Sequence, residues 1–202
     1  MNILLDLDGV LVDFVLGFTQ EAVALGYLKK PFGTDLQPTW DFGYCLTPKQ
    51  QMDIWNIIEN DPWWWANLSA RVDHRIFETI NNLQLLNQVV FCTNRKGPKV
   101  QLQTKYWLSN NGIINPAVVV TKRKGEVAKA LDIDYSLDDQ VHNANMIHWM
   151  AEMRPCRSYL LDLPYNKEGR IKGVRVVKSV TEFLTAVKEG EGNGGRTDRE
   201  VV

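Results

Sequence analysis

Residues 2–14 read Asn2-Ile3-Leu4-Leu5-Asp6-Leu7-Asp8-Gly9-Val10-Leu11-Val12-Asp13-Phe14. A short apolar run ends in two carboxylates one residue apart, and a glycine follows. In an extended chain, positions i and i+2 face the same way, so Asp6 and Asp8 converge on one space at the strand's carboxyl end. That is where open α/β sheets place their ligands. Gly9 lets the chain turn sharply with no side chain in the way. Two carboxylates this close repel, and a bound divalent cation, or a proton on one of them, relieves the repulsion.

Further apolar runs follow at Val89 to Cys92, Ala117 to Val120, Tyr135 to Leu137, Tyr159 to Leu161 and Val174 to Val177. Like Ile3 to Leu5, they are rich in Val, Ile and Leu without clean alternation, as strands covered on both faces are. Helical patterns lie between them at 98–110, 125–131, 141–153 and 179–188, the first ending in Asn110-Asn111-Gly112 with a left-handed residue. Alternating strands and helices predict an α/β fold with a Rossmann-like open parallel sheet built of right-handed crossovers.

One interval breaks the rhythm. After a helix from about Asp13 to Leu25, no convincing strand arrives until Val89. Between them come a Pro/Gly/aromatic segment (31–44), a helix from Pro48 to about Glu59 capped by Thr47, the triplet Trp63-Trp64-Trp65, and a helix from about Val72 to Leu83. The expected organisation is an α/β core of residues 1–26 and 84–188. A small helical cap (27–83) is inserted after the first strand and helix, over the carboxyl ends of the strands. From Glu189 the Gly-rich, charged sequence predicts a disordered tail, 189–202.

With 202 residues, 45% hydrophobic, the chain can fold without disulfides or a structural metal. A formal net charge of −1 excludes a polybasic surface as the main binding device. Cys45, Cys92 and Cys156 form no CxxC pair, which argues against a disulfide framework or zinc site and fits a reducing cytoplasm. No apolar run reaches membrane-spanning length, and the acidic Asp6 and Asp8 fall too early for a signal peptide.

Three more polar groups follow predicted strands. Asp138-Asp139 comes after Tyr135 to Leu137 and, with Asp6 and Asp8, completes an oxygen-rich site of the kind magnesium prefers. Thr93-Asn94-Arg95 follows the strand ending at Cys92, where a hydroxyl and free backbone N–H groups suit a phosphate oxygen. In Thr121-Lys122-Arg123-Lys124-Gly125-Glu126 one lysine would neutralise phosphate charge. Taken singly, the Asp pair is more often a helix cap than a ligand, and Thr93 and the basic cluster are equally well explained as a cap and a solvated loop.

The order Asp-x-Asp, Thr, Lys, Asp-Asp resembles the haloacid dehalogenase-like hydrolases, over all four motifs from Asp6 to Asp139. The resemblance implies that Asp6 is a nucleophile and Asp8 a general acid and base. It implies Mg²⁺ held by Asp6, the Asp8 backbone carbonyl and Asp139, with Asp138 in support. It further implies that Thr93 and the Asn94 backbone cradle phosphoryl oxygens while Lys124, preferred over Lys122, balances charge.

Within that superfamily the chain is most similar to the 5'(3')-deoxyribonucleotidases. The likeness rests on Asp-Gly-Val-Leu-Val-Asp-Phe at 8–14, the aromatic insertion around Trp40-Asp41-Phe42 and Trp63-Trp64-Trp65, Phe91-Cys92-Thr93, and Asp162-Leu163-Pro164-Tyr165-Asn166. A departure is Asn94-Arg95-Lys96, where the mammalian enzymes have Ser-Pro, which leaves room for a different substrate.

The resemblance implies a Mg²⁺-dependent phosphatase acting on nucleoside monophosphates, with Phe14, Trp40 and Trp64 in the base pocket. Five of the seven tryptophans lie between Trp40 and Trp65. They offer stacking surface, although some must form a cap core; Trp55, spaced with Met52 and Ile58, is read as core. The expected partner is a small nucleotide, with no membrane contact; a homodimer is allowed. Two rival readings are a phosphatase of a polynucleotide 3'-phosphate, to which Arg95, Lys96 and Lys99 would contribute, and a non-catalytic nucleotide-binding module. Base preference and 5' versus 3' position stay open.

Overall fold

The computed structural model describes residues 1–150 and 156–193, the last three by backbone alone. Six strands carry the fold: β1 (Asn2–Leu5), β2 (Gln88–Thr93), β3 (Ala117–Val120), β4 (Tyr135–Asp138), β5 (Arg157–Leu161) and β6 (Arg175–Val177). All pair in parallel, in the order β3-β2-β1-β4-β5-β6. The helices are α1 (Phe14–Ala24), α2 (Pro48–Asn60), α3 (His74–Gln84), α4 (Val100–Asn110), α5 (Lys124–Ala130), α6 (Val141–Met150) and α7 (Val180–Asn193).

Strand order reverses at β1: the chain steps outward to β2 and β3, then returns to place β4 on β1's other side. That reversal opens a crevice at the carboxyl ends of β1 and β4, the position open parallel sheets use for ligands. The apolar runs lack alternation because both faces are covered. Ile3 and Leu5 pack with Phe77 and Ile80 of α3, Trp107 of α4 and Phe183 of α7. Leu4, Val90 and Cys92 point the other way, onto Ala128 of α5 and Ile147 of α6.

Local signals work as the sequence requires. Thr47 caps α2 in a reciprocal box with Gln50, with Pro48 at the first helical position. Gly112 ends α4 at φ +88°, and its N–H donates to the Ser109 carbonyl.

The elements at the two ends of the expected insertion, 27–83, pack on opposite sides of it. Helix α1 packs with the insertion: Val15, Phe18 and Ala22 share an apolar cluster with Phe42, Leu46, Ile54, Ile58, Trp64 and Trp65. Helix α3 instead buries Phe77, Ile80 and Leu83 in the sheet's own core. The two chain crossings are tied together, since Asp13 N–H donates to Ser69 O (3.0 Å) and Arg71 N–H to Leu11 O (2.8 Å). Residues 11–13 and 69–71 are thus joined by a short backbone pairing that side-chain pattern does not encode.

Helix α7 runs to Asn193, past the expected end at Lys188; the rest of the expected tail, 194–202, lies outside the described residues, as do positions 151–153 of the expected sixth helix. Cys45, Cys92 and Cys156 are all free. Among the described residues no helix is long and apolar enough to cross a membrane.

Candidate active site

Asp6 stands one residue beyond β1, its N–H donating to Leu137 O of β4 at 3.0 Å. The chain then folds back over Leu7, whose carbonyl accepts from the N–H groups of Val10, Leu11 and Val12. Gly9 is required here twice over. Its φ is +85°, and a Cβ would stand 2.3 Å from Asp139 Oδ2 and 2.9 Å from the Tyr165 hydroxyl.

Lys124, at the start of α5, is almost wholly buried, and its ammonium bridges Asp6 Oδ1 (2.8 Å) and Asp138 Oδ2 (2.7 Å). Asp138 Oδ1 accepts from Gln140 N–H (2.9 Å) and Asn143 Nδ2 (3.1 Å). Asp139 Oδ2 accepts from the Tyr165 hydroxyl at 2.5 Å, and Asn166 Nδ2 donates to the Asp139 backbone carbonyl at 2.7 Å. The Asp162–Asn166 segment thus supports Asp139 from behind.

Asp8 is held differently. Thr93 Oγ1 donates to its Oδ2 at 2.9 Å. Arg95 Nε reaches Oδ2 at 3.0 Å and Arg95 Nη2 reaches Oδ1 at 2.7 Å.

Burial dominates the electrostatics. It pushes the Asp6 carboxyl well above the usual carboxylate range; Lys124 opposes the rise, and Asp138, Asp139 and Asp8 add to it. Asp139 is pushed up to about 7, first by burial and then by the adjacent Asp138 charge, against the Tyr165 hydrogen bond. For Lys124, burial disfavours the charge, but Asp138 and Asp6 outweigh it and hold the ammonium above the ordinary lysine value. Burial and Asp139 together raise the Tyr165 phenol, which stays a donor.

The donor set fits a hard divalent cation. Asp6, Asp138 and Asp139 are buried, and each offers a carboxylate oxygen, the three lying within 4.8 Å of one another. Asp139 Oδ1 is buried and accepts no hydrogen bond, an arrangement that costs free energy unless a cation or proton meets it. Asp6, Asp8, Asp138 and Asp139 carry four formal negative charges against the two positive charges of Lys124 and Arg95. This excess of acidic groups over buried cations favours a metal ion at the cluster, and all-oxygen ligands are what Mg²⁺ takes.

A cavity of about 240 Å³ opens onto these groups. Of the residues predicted from sequence, Asp6, Asp8, Phe14, Trp40, Thr93, Asn94 and Lys124 line it, with Asp138 and Asp139 packed against Asp6. Lys122, the alternative to Lys124, is exposed at the same cavity. Trp64 is not there. It is 5% exposed, it packs among α1 and α2, and its indole N–H donates to Glu21 Oε1 at 3.0 Å. Its neighbour Trp65 borders the cavity although it is just 2% exposed, packed against Phe14 and under the Arg95 guanidinium, with its indole N–H donating to Lys96 O at 2.8 Å.

Trp55 does both: half-buried, it packs against the α1–α2 cluster through Phe14 and Phe18, as expected of a core ring, and it also lines the cavity. Ile54 and Ile58, four apart, form α2's buried face, while Met52 is 58% exposed and Trp55 lies one residue round from the apolar stripe. That offset was the signal in the sequence. Arg95 had none: a basic residue beside a phosphate-type turn looks solvent-facing until the fold buries it.

The sequence matches no protein-family model and no curated protein. Solved structures do resemble it. A haloacid dehalogenase-like family hydrolase from Xanthomonas campestris is 13% identical with a TM-score of 0.54, over 98% of this chain and 94% of that one. A HAD family hydrolase from Deinococcus radiodurans R1, with bound phosphate and sodium, is 14% identical with a TM-score of 0.58, over 94% and 96%. A D,D-heptose 1,7-bisphosphate phosphatase from B. bronchiseptica, complexed with magnesium and phosphate, is 13% identical with a TM-score of 0.51, over 93% and 98%. At these identities the likeness is one of fold, and the fold is that of the haloacid dehalogenase-like hydrolases.

Proposed function

We propose that the chain is a Mg²⁺-dependent phosphomonoesterase that hydrolyses nucleoside monophosphates, with deoxyribonucleotides as the favoured class, through an aspartyl-phosphate on Asp6. The observation that carries this reading is the meeting of Asp6, Asp8, Thr93 and Lys124 with the rings of Phe14, Trp40, Trp55 and Trp65 in one cavity. One wall suits phosphoryl transfer and the other suits a flat base.

In the first step a carboxylate oxygen of Asp6 bonds to phosphorus, the phosphorus–oxygen bond to the nucleoside breaks, and Asp8 gives its proton to the departing oxygen. In the second, water bonds to phosphorus and yields a proton to Asp8. The bond to Asp6 breaks, and inorganic phosphate leaves. Asp6, the Asp8 carbonyl and Asp139 would hold the Mg²⁺, with Asp138 in support. When bound, the ion would neutralise charge on the phosphoryl oxygens. Thr93 and Asn94 would orient those oxygens, and Lys124 would keep the acidic cluster from repelling them.

Residues 27–83 would act as a cap that screens the base. A second reading, a phosphatase of polynucleotide 3'-phosphates, draws on the exposed Lys96 and Lys122 at the cavity, which offer charge to a longer polyanion. Phosphate release from nucleoside 5'- and 3'-monophosphates, compared with a 3'-phosphorylated oligonucleotide, tests both. Turnover of the oligonucleotide alone rejects the mononucleotide reading. No Mg²⁺-dependent release from any ester, aryl phosphates included, rejects the enzyme.

A further inference from the structure

Arg95 has no assigned part in the reaction above, yet its guanidinium is wholly buried and held on several sides. Its side chain is fully buried, whereas that of Asp8 is 17% exposed. Three of its nitrogens are engaged: Nε at 3.0 Å from Asp8 Oδ2 and 3.2 Å from Oδ1, Nη2 at 2.7 Å from Asp8 Oδ1, and Nη1 at 3.0 Å from Thr104 Oγ1. Thr104 is itself wholly buried. The guanidinium carbon lies 4.8 Å from the centre of the Trp65 ring. A side-on fork takes hold of both carboxylate oxygens, and a buried hydroxyl and an indole face hold the fork.

We propose that Arg95 is a positioning residue for Asp8, fixing, together with the Thr93 hydroxyl on Oδ2, the plane of that carboxylate for its proton transfers to the scissile oxygen and, later, from the attacking water. The inference rests on the phosphatase reading given above. Asp8 lies inside the turn that Gly9 makes possible, and its side chain alone has rotational freedom that blurs the aim of a proton. Proton transfer needs heavy atoms within hydrogen-bond reach and alignment, so a fixed carboxylate plane acts on the rate of the step rather than on binding. A lysine could supply the charge but not the fork, because an ammonium is a single point of contact. Trp65 adds a consequence: the ring beneath Arg95 also lines the substrate cavity, so aromatic wall and acid are in mechanical contact through one side chain.

The test compares wild type, Arg95→Lys and Arg95→Ala on a nucleoside monophosphate and on an aryl phosphate whose leaving group departs without a proton. Expected is a fall in kcat of about 10²-fold for the nucleotide in both variants, with KM little changed and a much smaller fall for the aryl ester. Guanidinium ion added to Arg95→Ala should restore part of the lost kcat, and Arg95→Ala should cost little more in an Asp8→Asn background. Where Arg95→Ala does not fold, Arg95→Lys carries the comparison alone. A folded Arg95→Lys with wild-type kcat on the nucleotide overturns the proposal. So does an equal loss on both esters that guanidinium does not relieve, which marks a merely structural arginine. Wild type releasing no phosphate from any ester is a different result: it removes the phosphatase reading itself.

Discussion

The indole rings of Trp64 and Trp65 stand at 89° to one another, centroids 4.8 Å apart, and neighbours in sequence look into different spaces. Both rings belong to the buried α1–α2 cluster, but Trp65 also borders the cavity beside Asp6 and Asp8, whereas Trp64 turns its indole N–H to Glu21. A short 3₁₀ turn at Trp64–Ala66 sets this division, because consecutive residues in it point about 120° apart.

Trp64 and Trp55 should therefore fail in different ways. Trp64→Ala removes a buried ring and should lower unfolding stability by about 3–5 kcal/mol, with losses on nucleotide and aryl phosphate that match. Trp55→Ala, at the cavity, should raise KM for nucleotides roughly tenfold, within the about 1–3 kcal/mol of one stacked base, and leave aryl phosphate nearly unaffected. Urea unfolding and a two-substrate KM comparison read both. Nucleotide-selective loss in Trp64→Ala would reverse the assignment.

Asp6→Asn should keep the fold and lose nearly all turnover, since an amide oxygen is a poor nucleophile and forms no stable acyl phosphate. Rapid-quench labelling with ³²P-bearing substrate should mark Asp6 in wild type and leave the variant unlabelled. Turnover without label at Asp6 would disprove covalent catalysis.

Asp139 has the unpartnered buried oxygen, so metal binding should depend on it most directly. Mg²⁺ at saturating concentration should raise the Tm of wild type, and EDTA should reverse the rise. In Asp139→Asn the Mg²⁺-induced rise should shrink to near zero while the metal-free protein melts no lower than wild type, because the substitution also removes a buried like-charge neighbour. An undiminished metal response would place the ion elsewhere.

What the sequence made legible follows the range of the interaction. Asp6 and Asp8 share a strand end, and Thr93, Lys124 and Asp138 each terminate or follow a strand, so strand prediction alone brings them to one edge of the sheet. The fork from Arg95 to Asp8 spans 87 positions and depends on Thr104 and Trp65 closing around a guanidinium, which no local pattern encodes. The choice between Trp64 and Trp65 turns on one residue of phase in a 3₁₀ turn. The membership of α1 in the insertion's cluster was hidden because its apolar residues, Val15, Phe18 and Ala22, would suit either layer.

Lys124 tests whether the acidic cluster is held by charge balance. Its ammonium bridges the buried Asp6 and Asp138 carboxylates, so Lys124→Met removes one of the two cations that face four acidic groups. Breaking a buried pair by removing one partner costs about 3–5 kcal/mol, and the unfolding free energy in EDTA should fall by that order. Mg²⁺ should recover more stability in the variant than in wild type, since a divalent cation now meets one more uncompensated charge in a low-dielectric site. Turnover should stay low even when the metal has restored the fold, because the positive charge facing the phosphoryl group is gone. Urea titrations with and without Mg²⁺ on both proteins give the four free energies needed. A variant as stable as wild type in EDTA, or one that gains no extra stability from Mg²⁺, would mean that protons rather than Lys124 neutralise Asp6 and Asp138.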